Sequence, residues 1–162
     1  MKGERGIRNL EDERPARAIA VALRTPGQSR HDVEDHLEEL TALARSAGIE
    51  VTDRVIQTRF RPSPATWIGR GKAEELAQGA GEGDEPECFL FDDELAPAQI
   101  RNLERITGRR VLTRTELILD IFARKARSHE AKLQVELARL EYQRTHLRHL
   151  WSHLEGQRGG IG

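Results

Sequence analysis

The sequence predicts an α/β fold: a small, open, mostly parallel four-stranded sheet with flanking helices, followed by a long coiled-coil-type helix. Three observations predict it. Short apolar runs alternate with segments of helical apolar spacing, which implies parallel strands joined by right-handed helical crossovers. Glycine and proline punctuate those segments as far as Gly108 and are then absent for about forty residues, the mark of uninterrupted helix. Within that stretch Leu133, Leu137, Leu140, Leu147, Trp151 and Leu154 recur alternately four and three apart, with Arg144 out of step. That spacing is the seam of a two-stranded coiled coil and narrower than the stripe of a helix lying on a globular core.

Residues 1–16, MKGERGIRNLEDERPA, read as a flexible charged tail without the apolar stretch of a secretion signal. Arg17–Leu23 (RAIAVAL) is a short apolar run stopped by Thr25-Pro26-Gly27, a buried strand and its turn. Over 32–46, Val33, Leu37, Leu40, Leu43 and Ala44 stand at helical spacing, and Gly48 supplies the stop. Ile49–Phe60 contains a second extended segment, closed by Pro62 and Pro64. A short helix is predicted over Lys72–Gln78 and a surface loop over Gly79–Pro86. Cys88–Phe91 is the third strand. Pro97 suits the first turn of a helix that carries Ile100, Leu103 and Ile106 to a stop at Gly108, and Val111-Leu112 is the fourth strand. Residues 17–114 thus form an α/β subdomain. Residues 115–162 form a helical arm, broken near Ser128-His129 and ending in the glycine-rich tip Gly159-Gly160-Ile161-Gly162.

Composition limits what such a chain does. Hydrophobic residues make up 37% and charged residues 33%, and no apolar stretch approaches the roughly 18 residues of a membrane span, so the cytoplasm is the expected location. The single cysteine, Cys88, excludes an intramolecular disulfide and a cysteine-rich zinc site, and it reads as a buried strand residue. The net charge of −1 conceals a division: after residue 123 there are eight Lys/Arg against four Asp/Glu, whereas the preceding part is net acidic. A positive helix of this kind is an electrostatic footprint for nucleic acid, carried by Arg124, Lys125, Arg127, Lys132, Arg139, Arg148 and Arg158. The alternative is a solvated coiled-coil face balanced by Glu130, Glu136, Glu141 and Glu155.

The chemistry-bearing motifs are few. A phosphate-binding loop needs G-x-x-x-x-G-K-[ST]; around Gly71-Lys72, Thr66 stands in place of the first glycine and Ala73 in place of the metal-binding hydroxyl, so no catalytic site is predicted. Gly69-Arg70-Gly71-Lys72, ahead of a helix start, is either an anion-binding turn that touches RNA backbone or a tight turn with solvated charges. Asp92-Asp93-Glu94 lies where ligands of parallel sheets bind, beside Arg24-Thr25, the segment around Arg61, and Thr113-Arg114. With no further ligand placed to complete a metal site, helix capping by Asp93 or Glu94 is the expected role. His146, His149 and His153 share a helix face without further zinc ligands, so no metal is expected there.

Several motifs together resemble one family. Trp67-Ile68-Gly69-Arg70-Gly71-Lys72 and Phe91-Asp92-Asp93-Glu94-Leu95-Ala96-Pro97-Ala98-Gln99, with Arg101-Asn102-Leu103-Glu104, look like the N-terminal domain of HflX-type translational GTPases. Residues 113–123 (TRTELILDIFA) are similar to that family's linker helix. Lys132–Ala138 (KLQVELA), Trp151–Glu155 (WSHLE) and Gly159–Gly162 are similar to its helical arm. The resemblance implies a ribosome-binding module that contacts RNA of the large subunit, part of a GTP-dependent ribosome-splitting factor, and a tip that reaches toward the peptidyl-transferase region. It further implies an antiparallel two-helix arm and a GTPase domain binding GTP and Mg²⁺. The chain is expected to be truncated before that domain, with no cofactor in the chain itself. A competing expectation is a stand-alone dimerising or regulatory protein that uses its unpaired arm helix to form a homodimer.

Overall fold

In β1 (Ala16–Arg24) small and large residues alternate, and that alternation organises both layers of the molecule. A computed structural model of the chain describes residues 15–79 and 85–158, with side chains of the second stretch described as far as Thr145. Side chains of successive strand residues point to opposite faces. Ala18, Ala20 and Ala22 therefore meet one set of helices, and Ile19, Val21 and Leu23 meet another. The alanine face lets α1 (Arg30–Ser46) and α4 (Arg114–Lys125) lie close, packed through Val33, Leu37, Leu40, Ala44, Leu117 and Ile121. The larger face takes α2 (Arg70–Gln78) and α3 (Pro97–Thr107), packed through Ala73, Leu76 and Leu103.

The remaining strands are β2 (Ile49–Thr58), β3 (Cys88–Phe91) and β4 (Arg110–Thr113). They join β1 in the order β2-β1-β3-β4, and every pairing is parallel. The expected four-stranded α/β sheet is therefore present, as wholly parallel among the described residues. Cys88 is 5% exposed within β3, and burial pushes its thiol pKa up to about 11, as suits a packing residue rather than a nucleophile.

The helix ends follow from local chemistry. Ser29 Oγ accepts from the Asp32 amide at 3.0 Å to begin α1. The stops predicted at Gly48 and Gly108 are residues in the left-handed region, at φ 75° and 66°. The predicted break near Ser128 is real: α4 ends at Lys125, and Ser128 Oγ accepts from the Ala131 amide to cap α5 (His129–Arg158). Residues 115–125, grouped with the arm on sequence grounds, lie in α4, which packs on the sheet through the buried Leu117 and Ile121.

One expectation needs correction. Neither Asp93 nor Glu94 caps α3; the cap residue is Ala96, whose amide donates to Gln99 Oε1 at 2.8 Å, because both carboxylates are drawn to other elements. The second extended segment lies within 49–60 as expected: it ends at Thr58, and Phe60 leaves the sheet to stand 78% exposed.

Helix α5 has two apolar faces. Ala131, Val135, Ala138 and Tyr142 are partly buried on the side that meets α3 and α4. Leu133, Leu137 and Leu140 lie two residues along, about 200° round the helix, and are 56%, 58% and 52% exposed. Leu147, Trp151 and Leu154, the later seam positions, and the histidines 146, 149 and 153 lie outside the described side chains.

Candidate nucleic-acid interface

All strands being parallel, their carboxyl ends share one edge of the sheet. The chain reverses its winding direction between β1 and β3, the crevice in which such sheets hold ligands. Here the crevice is bridged by the protein itself. Asp93 Oδ2 accepts from the Leu23 amide at 3.2 Å and from Trp67 Nε1 at 3.0 Å. Burial raises the Asp93 pKa above the ordinary aspartate value, against the lowering effect of those two bonds. Trp67 has a φ of 64°, a strained value for a bulky side chain, and is held by an antiparallel bridge to Ser63 as well as by Asp93.

The neighbouring carboxylates diverge. Asp92 takes Arg114 Nη1 at 3.0 Å, with His36 Nδ1 at 3.8 Å, while Arg114 Nη2 reaches Glu39 at 2.8 Å. The hydrogen bond with Glu39 raises the Arg114 pKa, and Arg114 in turn lowers that of Glu39. Glu94 accepts from Thr115 Oγ1 at 2.6 Å and from Tyr142 Oη at 3.0 Å. Tyr142 Oη is also 3.2 Å from Thr113 Oγ1, which fastens α5 to the end of β4. The acidic run is thus a three-way tie between α1 and α4, β1 and the Trp67 loop, and α4 and α5.

The Gly69–Lys72 segment differs from its expected geometry, since α2 starts at Arg70 and only Gly69 precedes it. The Gly69 amide donates to Gln57 Oε1 at 2.8 Å, Arg70 pairs with Glu74 at 3.2 Å and Lys72 with Glu75 at 3.4 Å. A side chain at Gly69 would collide with the Arg59 guanidinium, which lies across the glycine. The cationic groups here are engaged within the helix, and Gly71 meets no crowding that a Cβ would worsen.

Among the basic positions of the arm, Arg124 Nε and Arg139 Nη2 both bind Asp120, at 2.9 and 3.5 Å, and so join α4 to α5. Lys125, Arg127 and Lys132 are exposed and form no ion pair among the described residues. Arg148, Arg158, Gly159, Gly160, Ile161 and Gly162 lie outside the residues whose side chains are described. The leucine seam and the unpaired cations therefore share the arm and the turn that begins it.

Comparison with known proteins gives a consistent picture. A family model described as GTP-binding GTPase N-terminal matches residues 34–123, and one described as GTP-binding GTPase Middle Region matches residues 125–162. The chain is similar to the GTPase HflX of Escherichia coli strain K12, 50% identical over 131 residues, which is 81% of this chain and 30% of that protein. It is 42% identical over 146 residues to the GTPase HflX of Flavobacterium psychrophilum, covering 90% of this chain and 35% of that protein. The chain thus spans about a third of the length of these curated relatives. Among solved structures, a GTP-binding protein from the hyperthermophilic archaeon Sulfolobus solfataricus in complex with GDP superposes with a TM-score of 0.61 at 26% identity, over 87% of this chain and 42% of that one.

Proposed function

Because the chain belongs to the GTP-binding GTPase N-terminal family, as the N-terminal part of an HflX-type GTPase, we propose that it is a ribosome-binding module that contacts RNA of the large subunit. The observation that carries this reading is the arm. Helix α5 has 30 residues, about 45 Å of length, and Tyr142, near its middle, is fastened to the carboxyl end of β4. Unpaired Lys125, Arg127 and Lys132 supply sequence-independent attraction for phosphates through counterion release. Arg148, Arg158 and the Gly159–Gly162 tip extend that surface in the proposal, while Gly69–Lys72 is a lesser candidate because its cations are already paired. GTP and Mg²⁺ would act in the GTPase domain of a full-length family member, where ribosome splitting in the cytoplasm would be driven. No described helix is long and apolar enough to cross a membrane.

Co-sedimentation with large ribosomal subunits tests this. The chain should pellet with the subunits at low salt and be released as salt rises. Reversing Lys125, Arg127 and Lys132 to Glu should weaken binding at least about ten-fold, because each lost phosphate contact removes salt-dependent affinity. Unchanged pelleting of that triple variant would count against the RNA assignment. Arg124 is the wrong probe, since its substitution also frees Asp120.

The exposed leucines favour a second reading, self-association through α5. Leu133, Leu137 and Leu140 present an apolar row, and each leucine contributes roughly 1.5–3 kcal/mol when fully buried. Sedimentation equilibrium should show a concentration-dependent dimer, and Leu137→Asp should abolish it. A chain that stays monomeric at every concentration would leave the seam to a different helix.

A further inference from the structure

The exposed Phe60 belongs to no core, and its surroundings are unusual for a stray surface aromatic. Phe60 stands two residues beyond the end of β2, after Arg59, which still pairs with β1 by donating its amide to Arg24 O at 2.9 Å. Arg61 holds its guanidinium carbon 5.8 Å from the Phe60 ring centroid, and the ring is 78% exposed. Arg59 precedes it in the chain and Arg24 ends the adjoining strand β1, with Arg24 Nε donating to Gln28 O and Arg59 Nε to Arg61 O. None of these three arginines has a carboxylate partner among the described residues, whereas Arg70, Lys72, Arg114, Arg124 and Arg139 all do.

The loop that follows the ring is tied to α3. Ser63 and Ala65 give their carbonyls to Gln99 Nε2 and Asn102 Nδ2 of α3, at 3.0 and 2.9 Å, and Thr66 Oγ1 donates to Ile68 O at 2.6 Å. A fixed aromatic platform among uncompensated guanidinium groups is the chemistry that binds unpaired nucleotides, the base stacking on the ring and the cations meeting phosphates. The platform also lies at the carboxyl edge of the sheet, where Tyr142 of α5 is fastened. It ends the strand at one end of the sheet, and α5 is fastened to the strand at the other, a separation of three strand spacings or about 14 Å.

We propose that Phe60, with Arg24, Arg59 and Arg61, is a second RNA contact of this domain, at which an unpaired base stacks on the open face of the ring while the arginines hold the adjacent phosphates. It rests on the ribosome-binding reading and adds a site away from the arm. Fluorescence anisotropy of the full chain with a short fluorescein-labelled oligouridylate tests it. Phe60→Ala should weaken binding roughly five- to a hundred-fold and Phe60→Trp should preserve it, as expected for stacking. The double variant Arg59→Gln, Arg61→Gln should reduce the dependence of log affinity on log salt by about 1.4, the contribution of two single-strand phosphates. Absence of oligouridylate binding by the unaltered chain overturns the proposal, as does an unchanged affinity for Phe60→Ala. A Phe60→Leu variant that binds as well as the unaltered chain overturns it too, by showing an apolar contact of the sort a protein surface makes. Pelleting with large subunits separates the two readings. Subunit binding retained alongside any of these failures removes the second contact alone, whereas oligouridylate binding sensitive to Phe60 without subunit binding removes the ribosomal reading alone.

Discussion

Asp93→Ala is expected to lower the unfolding free energy by about 3 kcal/mol, since it strips the acceptor from two partly buried donors at once. Those donors are the Leu23 amide at the end of the central strand and the Trp67 indole, at 3.2 and 3.0 Å. The indole sits on a backbone whose left-handed φ of 64° depends on outside support. The loss should therefore spread to the loop that presents Phe60. Asp93→Asn keeps an acceptor oxygen and should lose less. Burial raises the Asp93 pKa, so the ionised form is the strained one; stability from the neutral form is present at acid pH and declines as pH rises through the raised value. The amide, which does not ionise, should remove that decline. Urea unfolding followed by circular dichroism and tryptophan fluorescence would measure all three proteins. An alanine variant within about 1 kcal/mol of the unaltered chain would show that water replaces the carboxylate.

Glu116 should give the molecule a stability that falls between about pH 5 and pH 8. Its pKa is raised to about 7, first by burial and then by Glu94 and Glu104, against the lowering influence of Arg110. A carboxyl group with a folded pKa above its unfolded value near 4.5 stabilises the fold below that unfolded value, and the contribution is lost as pH rises through the folded one. The separation corresponds to roughly 3 kcal/mol between the two ends of the window. Glu116→Gln should be more stable than the parent at pH 8 by about 2 kcal/mol and nearly level with it at pH 5, allowing for relaxation around the charge. The readout is the difference between the two denaturation midpoints against pH, which cancels groups common to both proteins. A difference that stays flat across the window would place Glu116 in contact with water. The charge also matters to the arm, because Glu94 and Tyr142, whose hydrogen bond ties the segment after β3 to α5, lie in the same cluster.

The sequence by itself determined the order and type of the elements, because those follow from local chemistry. Alternating apolar runs, the serine before α1, Gly48 and Gly108 in conformations that glycine adopts freely, and Ser128 at the break before α5 all act within a few residues of their own position. The two-by-two sorting of helices onto the faces is also latent in RAIAVAL, where small and large residues alternate. The family was legible for the same reason, since its motifs are contiguous. Only the tertiary structure decided which polar groups meet. Within Asp92-Asp93-Glu94, Asp93 and Glu94 read as capping residues because a helix follows them. Parallel pairing instead brings four strand ends to one edge, so each carboxylate finds a partner from 21 to 70 positions away. The same distance in sequence hid the engagement of Arg124 and Arg139 with Asp120, which removes two cations from the arm's apparent surplus. Phe60 reads as a continuation of β2 by composition. It becomes an exposed platform because the strand ends at Thr58, two residues earlier than its apolar content suggests, and the loop beyond is held by carbonyl contacts to α3 that no local pattern encodes.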